Sequence, residues 1–330
     1  MAYRRAMFSP ESMSRDLAAA ASGAAVLELL TQCFAAAPLA YGHGTDNAAD
    51  EAAWLFAAVA GVDYAEADWV DRFEAALAAP AVDLDIARMA ALADQRVATR
   101  QPLAYLLGEA WFAGLRFEVT ADVLVPRSPI AELIAAGYAP WVRPSEVRRV
   151  LEIGTGSGCI AIATALALPD AQVDATDVSP GALAVAQRNV ARHGVVARVR
   201  LVASDLFTSA TLGRYDLIVT NPPYVDAGDM ASRPAEFRHE PELGLAAGAD
   251  GLSIVRRLLA EAGSSLEPGG VLICEVGNSA EALQQEYATV PFTWLTFEHG
   301  GQGVFALTRE QLEEHAPAIA AAVGRGSENT

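Results

Sequence analysis

Through roughly the first hundred residues, apolar positions recur at three- and four-residue steps, as at Trp54, Leu55, Ala58 and Val59. That spacing places side chains on one face of a helix, so the chain from Asp16 to Arg100 is expected to fold as amphipathic helices. One break falls at Tyr41 to Asn47, where two glycines and Asn47 mark a loop and Thr45 or Asp46 can cap the next helix. The period then changes. Between Trp111 and Val125 the apolar residues Phe112, Leu115, Phe117, Val119, Val123 and Leu124 surround Gly114, which predicts a short β-hairpin bridging to a larger domain.

From Arg148 onward short β-rich runs alternate with helical stretches, the pattern of a doubly wound parallel sheet. Expected strands are Val150–Ile153, Gln172–Thr176, Val199–Ala203 and Tyr215–Thr220. Ser179 suits the cap of the helix after the second strand, Pro180 its first turn and Gly194 its exit. A helix over Leu252–Ser265 leads to a fifth strand, Gly270–Val276, and then to a strand pair, Phe292–Phe297 and Gly303–Leu307, with a helical tail after Arg309. The expected organisation is a helical domain over 1–105, a hairpin linker over 106–130, an α/β catalytic domain over 131–312 and a tail over 313–330.

Of 330 residues, 52% are hydrophobic and 19% charged, enough apolar material for packed cores and too much for a disordered chain. The 23 basic residues against 41 acidic give a net charge of -18, shared as -7 over residues 1–100 and -11 over the remainder. Such a field repels phosphate backbones, so stable binding to bare nucleic acid is not expected, while a basic protein partner would be attracted. A surface that merely solubilises accounts for the same charge. Cys33, Cys159 and Cys274 are odd in number and never in a Cys-x-x-Cys pair, which suits a reducing cytoplasm and defines neither disulfides nor zinc. His43, His193, His239, His299 and His315 lack metal-ligand spacing. Met1 to Pro10 has no apolar run behind its arginines, and Leu17 to Leu30 is alanine-rich and interrupted by Glu28, so neither secretion nor membrane spanning is expected.

The candidate chemistry gathers at the strand ends. Gly154-Thr155-Gly156-Ser157-Gly158 follows the first strand directly and opens a helix, so its glycines permit a tight turn and let a ligand reach bare backbone. Asp177, ending the second strand, can accept ribose hydroxyl protons. After the third strand, Asp205 can reach an adenine amino group while Leu206 covers the base. Each feature alone also fits an ordinary turn; together, at consecutive strand ends, they outline an adenosine. A nicotinamide dinucleotide shares the loop and the acid, but the glycines here stand closer than in Gly-x-Gly-x-x-Gly, and the fourth strand ends in a motif that dehydrogenases do not require. S-adenosyl-L-methionine is therefore the expected cofactor.

That motif is Asn221-Pro222-Pro223-Tyr224. Methylating a planar amide or a base-bound amino group is difficult because the nitrogen lone pair is delocalised. The Asn221 side-chain carbonyl and the Pro222 backbone carbonyl can accept both N–H bonds of such an NH2 group and turn its lone pair toward a sulfonium methyl. Successive prolines remove backbone donors and stiffen the loop, and Tyr224 can pack over the substrate group. Alignment and dipole placement then supply most of the catalysis, with no strong base.

With its neighbours this motif resembles the protein N(5)-glutamine methyltransferases; alone it is shared with adenine-specific nucleic-acid methyltransferases. Leu124-Val-Pro-Arg-Ser-Pro-Ile-Ala-Glu-Leu133, Arg238-His-Glu-Pro-Glu-Leu-Gly-Leu245 with Asp250-Gly251, Val290–Leu295 with Gly300–Phe305, and the Tyr41–Asn47 loop are similar to the branch acting on large-subunit ribosomal protein L three. The resemblance, from about Tyr41 to Leu312, implies a Rossmann-like, seven-stranded class I methyltransferase sheet with one antiparallel strand and a helical substrate-recognition domain. It implies Gly154–Gly158, Asp177, Asp205, Leu206 and Asn221 as cofactor contacts, and Asn221–Tyr224 as a glutamine clamp. It also implies a basic ribosomal protein as substrate, with peptide-chain release factors as the alternative.

Overall fold

The computed structural model describes residues 15–209 and 211–326, so the expectation drawn from Met1 to Pro10 lies outside the described residues. Two compact units divide the chain: one contains residues up to Arg116 together with Pro234–His239, the other Phe117–Arg233 and Glu240 onward. The division falls within the second strand of the hairpin, β1 (Glu109–Phe112) against β2 (Leu115–Glu118). Ala113 and Gly114 both have positive φ, 49° and 75°, the backbone of a two-residue turn whose twist matches the flanking strands.

In the first unit, α1 (Gly23–Ala36), α2 (Ala48–Ala60), α3 (Trp69–Ala78), α4 (Ile86–Thr99) and α5 (Leu103–Leu107) follow the apolar periodicity. Helix α1 buries Val26, Leu30, Cys33 and Phe34; α2 buries Ala52, Trp54, Leu55 and Phe56. Gly23 is where α1 meets α3, because a Cβ there would stand 2.1 Å from the Ala76 carbonyl oxygen. The cap of α2 differs from expectation. Asn47, rather than Thr45 or Asp46, accepts the N–H groups of Ala49 and Asp50 at 3.0 Å each, while the Thr45 hydroxyl donates to Glu51. Gly42 N–H bonds Thr45 O at 2.8 Å, closing the loop early and leaving Asn47 at the helix entrance.

A guanidinium lies inside this unit. Arg96 is 1% exposed and donates to Glu51, to Glu236 at 3.3 Å and to the Ala40 carbonyl at 3.1 Å. Glu236, fully buried, also accepts from Arg100 at 2.5 and 2.8 Å and from Ala40 N–H at 2.9 Å.

The second unit contains α6 (Ile130–Ala135), β3 (Arg149–Ile153), α7 (Cys159–Ala167), β4 (Gln172–Asp177), α8 (Pro180–Arg192), β5 (Val199–Ala203) and β6 (Tyr215–Thr220). Then come α9 (Ala227–Ser232), α10 (Ser253–Ser265), β7 (Leu266–Glu275), α11 (Ala280–Glu286), β8 (Thr293–Trp294), β9 (Val304–Thr308), α12 (Arg309–Glu314) and α13 (Ala316–Gly326). The seven-stranded sheet has the order β5-β4-β3-β6-β7-β9-β8, with β3 to β7 parallel and β9 antiparallel to its neighbours. Leu151, Leu217, Ile218, Val219, Leu272 and Ile273 are fully buried, the continuous apolar runs of a sheet covered on both faces. The Ser179 cap and Pro180 start of α8 are as expected.

Two strands depart from expectation. β7 begins at Leu266, not Gly270, because Leu266 pairs with Tyr215 across a register shift and so draws the Pro268-Gly269 corner into the strand. The expected Phe292–Phe297 strand shrinks to Thr293–Trp294, an edge strand paired with β9 alone. No helix among the described residues is long and apolar enough to cross a membrane.

Burial by itself would raise the Glu236 carboxyl, but hydrogen bonds from Arg100 and Ala40 outweigh it and hold the group at about 2, below its ordinary 4.5. Stability from this network is thus complete above pH 4.5 and lost as pH falls toward 2. Glu236→Ala, which strips buried Arg96 of one of its two carboxylates, is expected to cost about 3 kcal/mol in urea unfolding near neutral pH. The same titration repeated at about pH 3 should find a smaller gap between variant and wild type.

Candidate active site

Parallel pairing brings the candidate residues to one edge. Ile153 on β3 stands opposite Thr220 on β6, and the Thr220 hydroxyl, fully buried, donates to Ile153 O at 2.8 Å. The glycine loop and Asn221 therefore leave adjacent strands side by side, where the strand order reverses direction, the usual ligand crevice of an open α/β sheet. An ideal Cβ on Gly154 would lie 4.0 Å from Asn221 O.

The loop itself is built from backbone. Gly154, Gly156 and Gly158 have φ of 73°, 54° and 83°, and the N–H groups of Gly154 and Thr155 both bond Thr176 O at 2.9 Å. Gly158 is required for a second reason: a Cβ there would crowd Ile162 and Ala186 at 3.2 and 3.3 Å. Thr155 and Ser157 are each 3% exposed, so the accessible part of the loop is Gly154 and Gly156, which have only main chain to offer a ligand. The Thr155 hydroxyl is committed to Glu152 at 2.5 Å.

Glu152 supports this loop from below and was not singled out as a site residue by sequence reasoning. It is 1% exposed, and the same oxygen accepts from Thr155 and, at 2.9 Å, from the Ala161 N–H of α7. Burial pushes its carboxyl up to about 8 despite both donors, and the Asp177 charge adds to the rise. Asn189 does similar work from α8, donating to Ser157 O and Glu118 O at 2.9 Å each while accepting Glu118 N–H at 2.8 Å.

Asp177 ends β4 with one oxygen accepting Gly156 N–H at 2.9 Å and the other accepting Ser179 N–H at 2.8 Å. Burial raises its carboxyl, and these N–H groups oppose the rise. A carboxylate has about four lone-pair positions, so acceptor capacity remains for a diol. Next to it in the chain Val178 is 48% exposed, an apolar side chain that the sequence analysis did not single out.

The third acid lies just beyond β5. Asp205 is half exposed and ion-paired with Arg257 of α10 at 2.8 Å. Leu206, expected to cover a base, is 6% exposed and belongs to the core cluster with Leu151, Ile153 and Leu259; its φ is 51°, and Ser204 donates to its carbonyl at 2.8 Å.

Of the Asn221–Tyr224 loop, Pro222 is buried and the other residues are partly exposed. Beyond it Val225 N–H bonds Leu245 O and Val225 O accepts Ala247 N–H, at 2.9 and 3.0 Å, which fastens the loop's exit. The Tyr224 hydroxyl donates to Glu275, at the end of β7, at 3.1 Å. Glu275 is 5% exposed and is pushed up to about 7 by burial, opposed by hydrogen bonds from Ser128 and Tyr224 and by the Arg127 charge. Glu275 escaped sequence reasoning; its one local signal was its place at a strand end. Among the described residues no group of His, Cys, Asp or Glu is arranged to hold a metal ion.

A family model described as the methyltransferase small domain matches residues 140–236. The chain is 48% identical to a ribosomal protein uL3 glutamine methyltransferase of Bordetella pertussis over 278 residues, 84% of this chain and 91% of that protein. A protein of the same name from Neisseria meningitidis is 43% identical over 87% of this chain and 93% of its own length. Another, from Francisella tularensis, is 46% identical over 68% of this chain and 72% of its own length.

Because the Glu152 carboxyl lies above its ordinary 4.5, the stability it confers is complete below pH 4.5 and lost as pH climbs through about 8. Glu152→Gln keeps an acceptor for both donors and cannot ionise, so its unfolding midpoint should change less across that window than the wild-type midpoint. Urea midpoints measured from about pH 5 to about pH 9 decide this; parallel curves would reject the assignment.

Proposed function

Since the chain belongs to the ribosomal protein uL3 glutamine methyltransferase family, we propose that it transfers a methyl group from S-adenosylmethionine to the side-chain amide nitrogen of a glutamine in ribosomal protein uL3. The observation that carries this reading is the opposition of Ile153 and Thr220, which puts an adenosine-suited loop beside an Asn-Pro-Pro-Tyr turn.

The donor set suits the cofactor. Positive-φ glycines present bare backbone, Asp177 retains acceptor capacity for ribose hydroxyls, and Asp205 is left to reach an adenine amino group while held by Arg257. Val178 is the apolar side chain available to lie against the base, in place of Leu206. When bound, S-adenosylmethionine supplies an electrophilic methyl on a sulfonium. The protein supplies orientation. Asn221 accepts one N–H of the glutamine amide through its side-chain carbonyl, and Pro222 accepts the other through its backbone carbonyl. Holding both N–H bonds fixes the plane of the NH2 group and aims its nitrogen across the crevice. The two carbonyl dipoles favour the positive charge that grows on nitrogen as the bond to carbon forms. The alkylated amide is acidic enough to release its proton to water.

Substrate choice is assigned to the helical unit, with the net charge of -18 favouring a basic partner over a phosphate backbone. The reaction takes place in the cytoplasm, where uL3 is available before or during subunit assembly.

Incubation of the purified chain with methyl-labelled cofactor and either uL3 or a release factor tests the substrate. Label on a glutamine of uL3 is expected; label on the release factor alone would reassign it, and label on nucleic acid alone would reject protein methylation. Asn221→Ala is expected to bind cofactor within about threefold of wild type by calorimetry while losing about 10²- to 10³-fold in transfer rate, the scale of removing one preorganised dipole.

A further inference from the structure

Glu275 has each carboxylate oxygen engaged by a different segment. One oxygen accepts the Tyr224 hydroxyl at 3.1 Å, and the other accepts the Ser128 hydroxyl at 2.5 Å. Ser128 is itself fixed, since its oxygen also accepts Ile130 N–H at 3.2 Å, at the start of α6. Its neighbour Arg127 is held by a bidentate pair with buried Glu240, at 2.6 and 2.7 Å.

Tyr224 also meets two glycines, Gly277 at its ring and Gly251 at its carbonyl. Gly277 has φ of 46°, and a Cβ there would stand 2.5 Å from a ring carbon of Tyr224. A Cβ on Gly251 would stand 2.4 Å from the Tyr224 carbonyl oxygen, which accepts the Ser279 hydroxyl at 2.8 Å. The ring thus lies against a surface that only glycine leaves open, with its hydroxyl caught at the far end. Packed in this way, it is a fixture of the loop wall.

We propose that Glu275, braced by Ser128, is a positioning residue for methyl transfer: by holding the Tyr224 hydroxyl it fixes the loop that presents the Asn221 and Pro222 carbonyls. The inference rests on the clamp reading above. A rigid ring three residues after Asn221 limits how far the two acceptors can drift, and misplacement by about 1 Å costs about 10²-fold in well-aligned reactions. An apolar residue of similar size at 275 would fill the space but release the hydroxyl. A glutamine would keep both bonds, its carbonyl accepting from Tyr224 and its amide donating to Ser128.

Steady-state transfer to uL3 should therefore show Glu275→Leu about tenfold or more below wild type in kcat, with KM for S-adenosylmethionine within about twofold and Glu275→Gln recovering most of the rate. Tyr224→Phe combined with Glu275→Leu should be no slower than Tyr224→Phe alone, because the carboxylate then has no hydroxyl to hold. Ser128→Ala, a milder change should Glu275→Leu fail to fold, should lower kcat in the same direction. Effects that multiply in the double variant, a Gln variant as slow as Leu, or a wild-type rate in both Glu275→Leu and Ser128→Ala would each overturn the proposal. A 3-fluorotyrosine at position 224 gives a readout independent of turnover: its fluorine resonance should shift or broaden in Glu275→Leu and Ser128→Ala, and an unchanged resonance in both overturns the positioning role. Wild-type protein inert toward uL3, with the resonance still moved by these variants, would reject the glutamine reading and keep the role of Glu275 in placing Tyr224.

Discussion

Parallel pairing between β3 and β6, with Ile153 opposite Thr220, is the constraint from which the site follows. A parallel ladder brings the C-terminal ends of its strands to one edge, and shifting this register by a single residue would exchange the side chains that β6 packs against the two covered faces of the sheet. The apolar demand of the core, with Leu217, Ile218 and Val219 fully buried, therefore also sets the place of Asn221 beside Gly154. The hydroxyl of Thr220, bonded to Ile153 O, satisfies a polar atom in the interior and ties the two exits together. Stability and site geometry are here one requirement.

Buried glutamates recur as the means of holding irregular chain. Glu152 supports the glycine loop, Glu240 gathers Val125 and Arg127, Glu275 ties Ser128 to Tyr224, and Glu236 meets Arg96 and Arg100. Loops cannot satisfy their donors by periodic bonding, and a carboxylate with several acceptor positions collects donors from different segments. Their environments separate them physically. Glu236, surrounded by cations, lies well below the ordinary carboxyl range, while Glu152 and Glu275, with mostly neutral donors, are driven upward by desolvation. Ionisation is thus favoured where a buried guanidinium must be neutralised, and resisted beside the crevice.

The chemistry proposed for this fold asks little of acid–base groups and much of placement. Two carbonyls, one from a side chain and one from a proline, must hold their direction without strong interactions of their own. Proline limits the backbone, Tyr224 limits the ring wall, and glycines at 251 and 277 admit the close contact that fixes both. Such a site accommodates change poorly at its small residues, since any side chain there collides with the loop it should support.

Local signals determined the two periodicities, the succession of strands and helices, the Ser179 and Pro180 start of α8, the glycine loop and the Asn-Pro-Pro-Tyr turn, because each depends on residues within a few positions of one another. Tertiary structure decided what depends on distant partners. Glu275 meets Ser128 from 147 positions away and Arg96 meets Glu236 from 140, separations at which no spacing rule operates. It likewise turned Leu206 into the core, gave Asp205 the partner Arg257, and let an early loop closure hand the α2 cap to Asn47. Sequence periodicity says which residues seek burial; only packing settles which of several polar candidates finds a partner, because that choice follows from three-dimensional proximity and the cost of leaving a buried group unpaired.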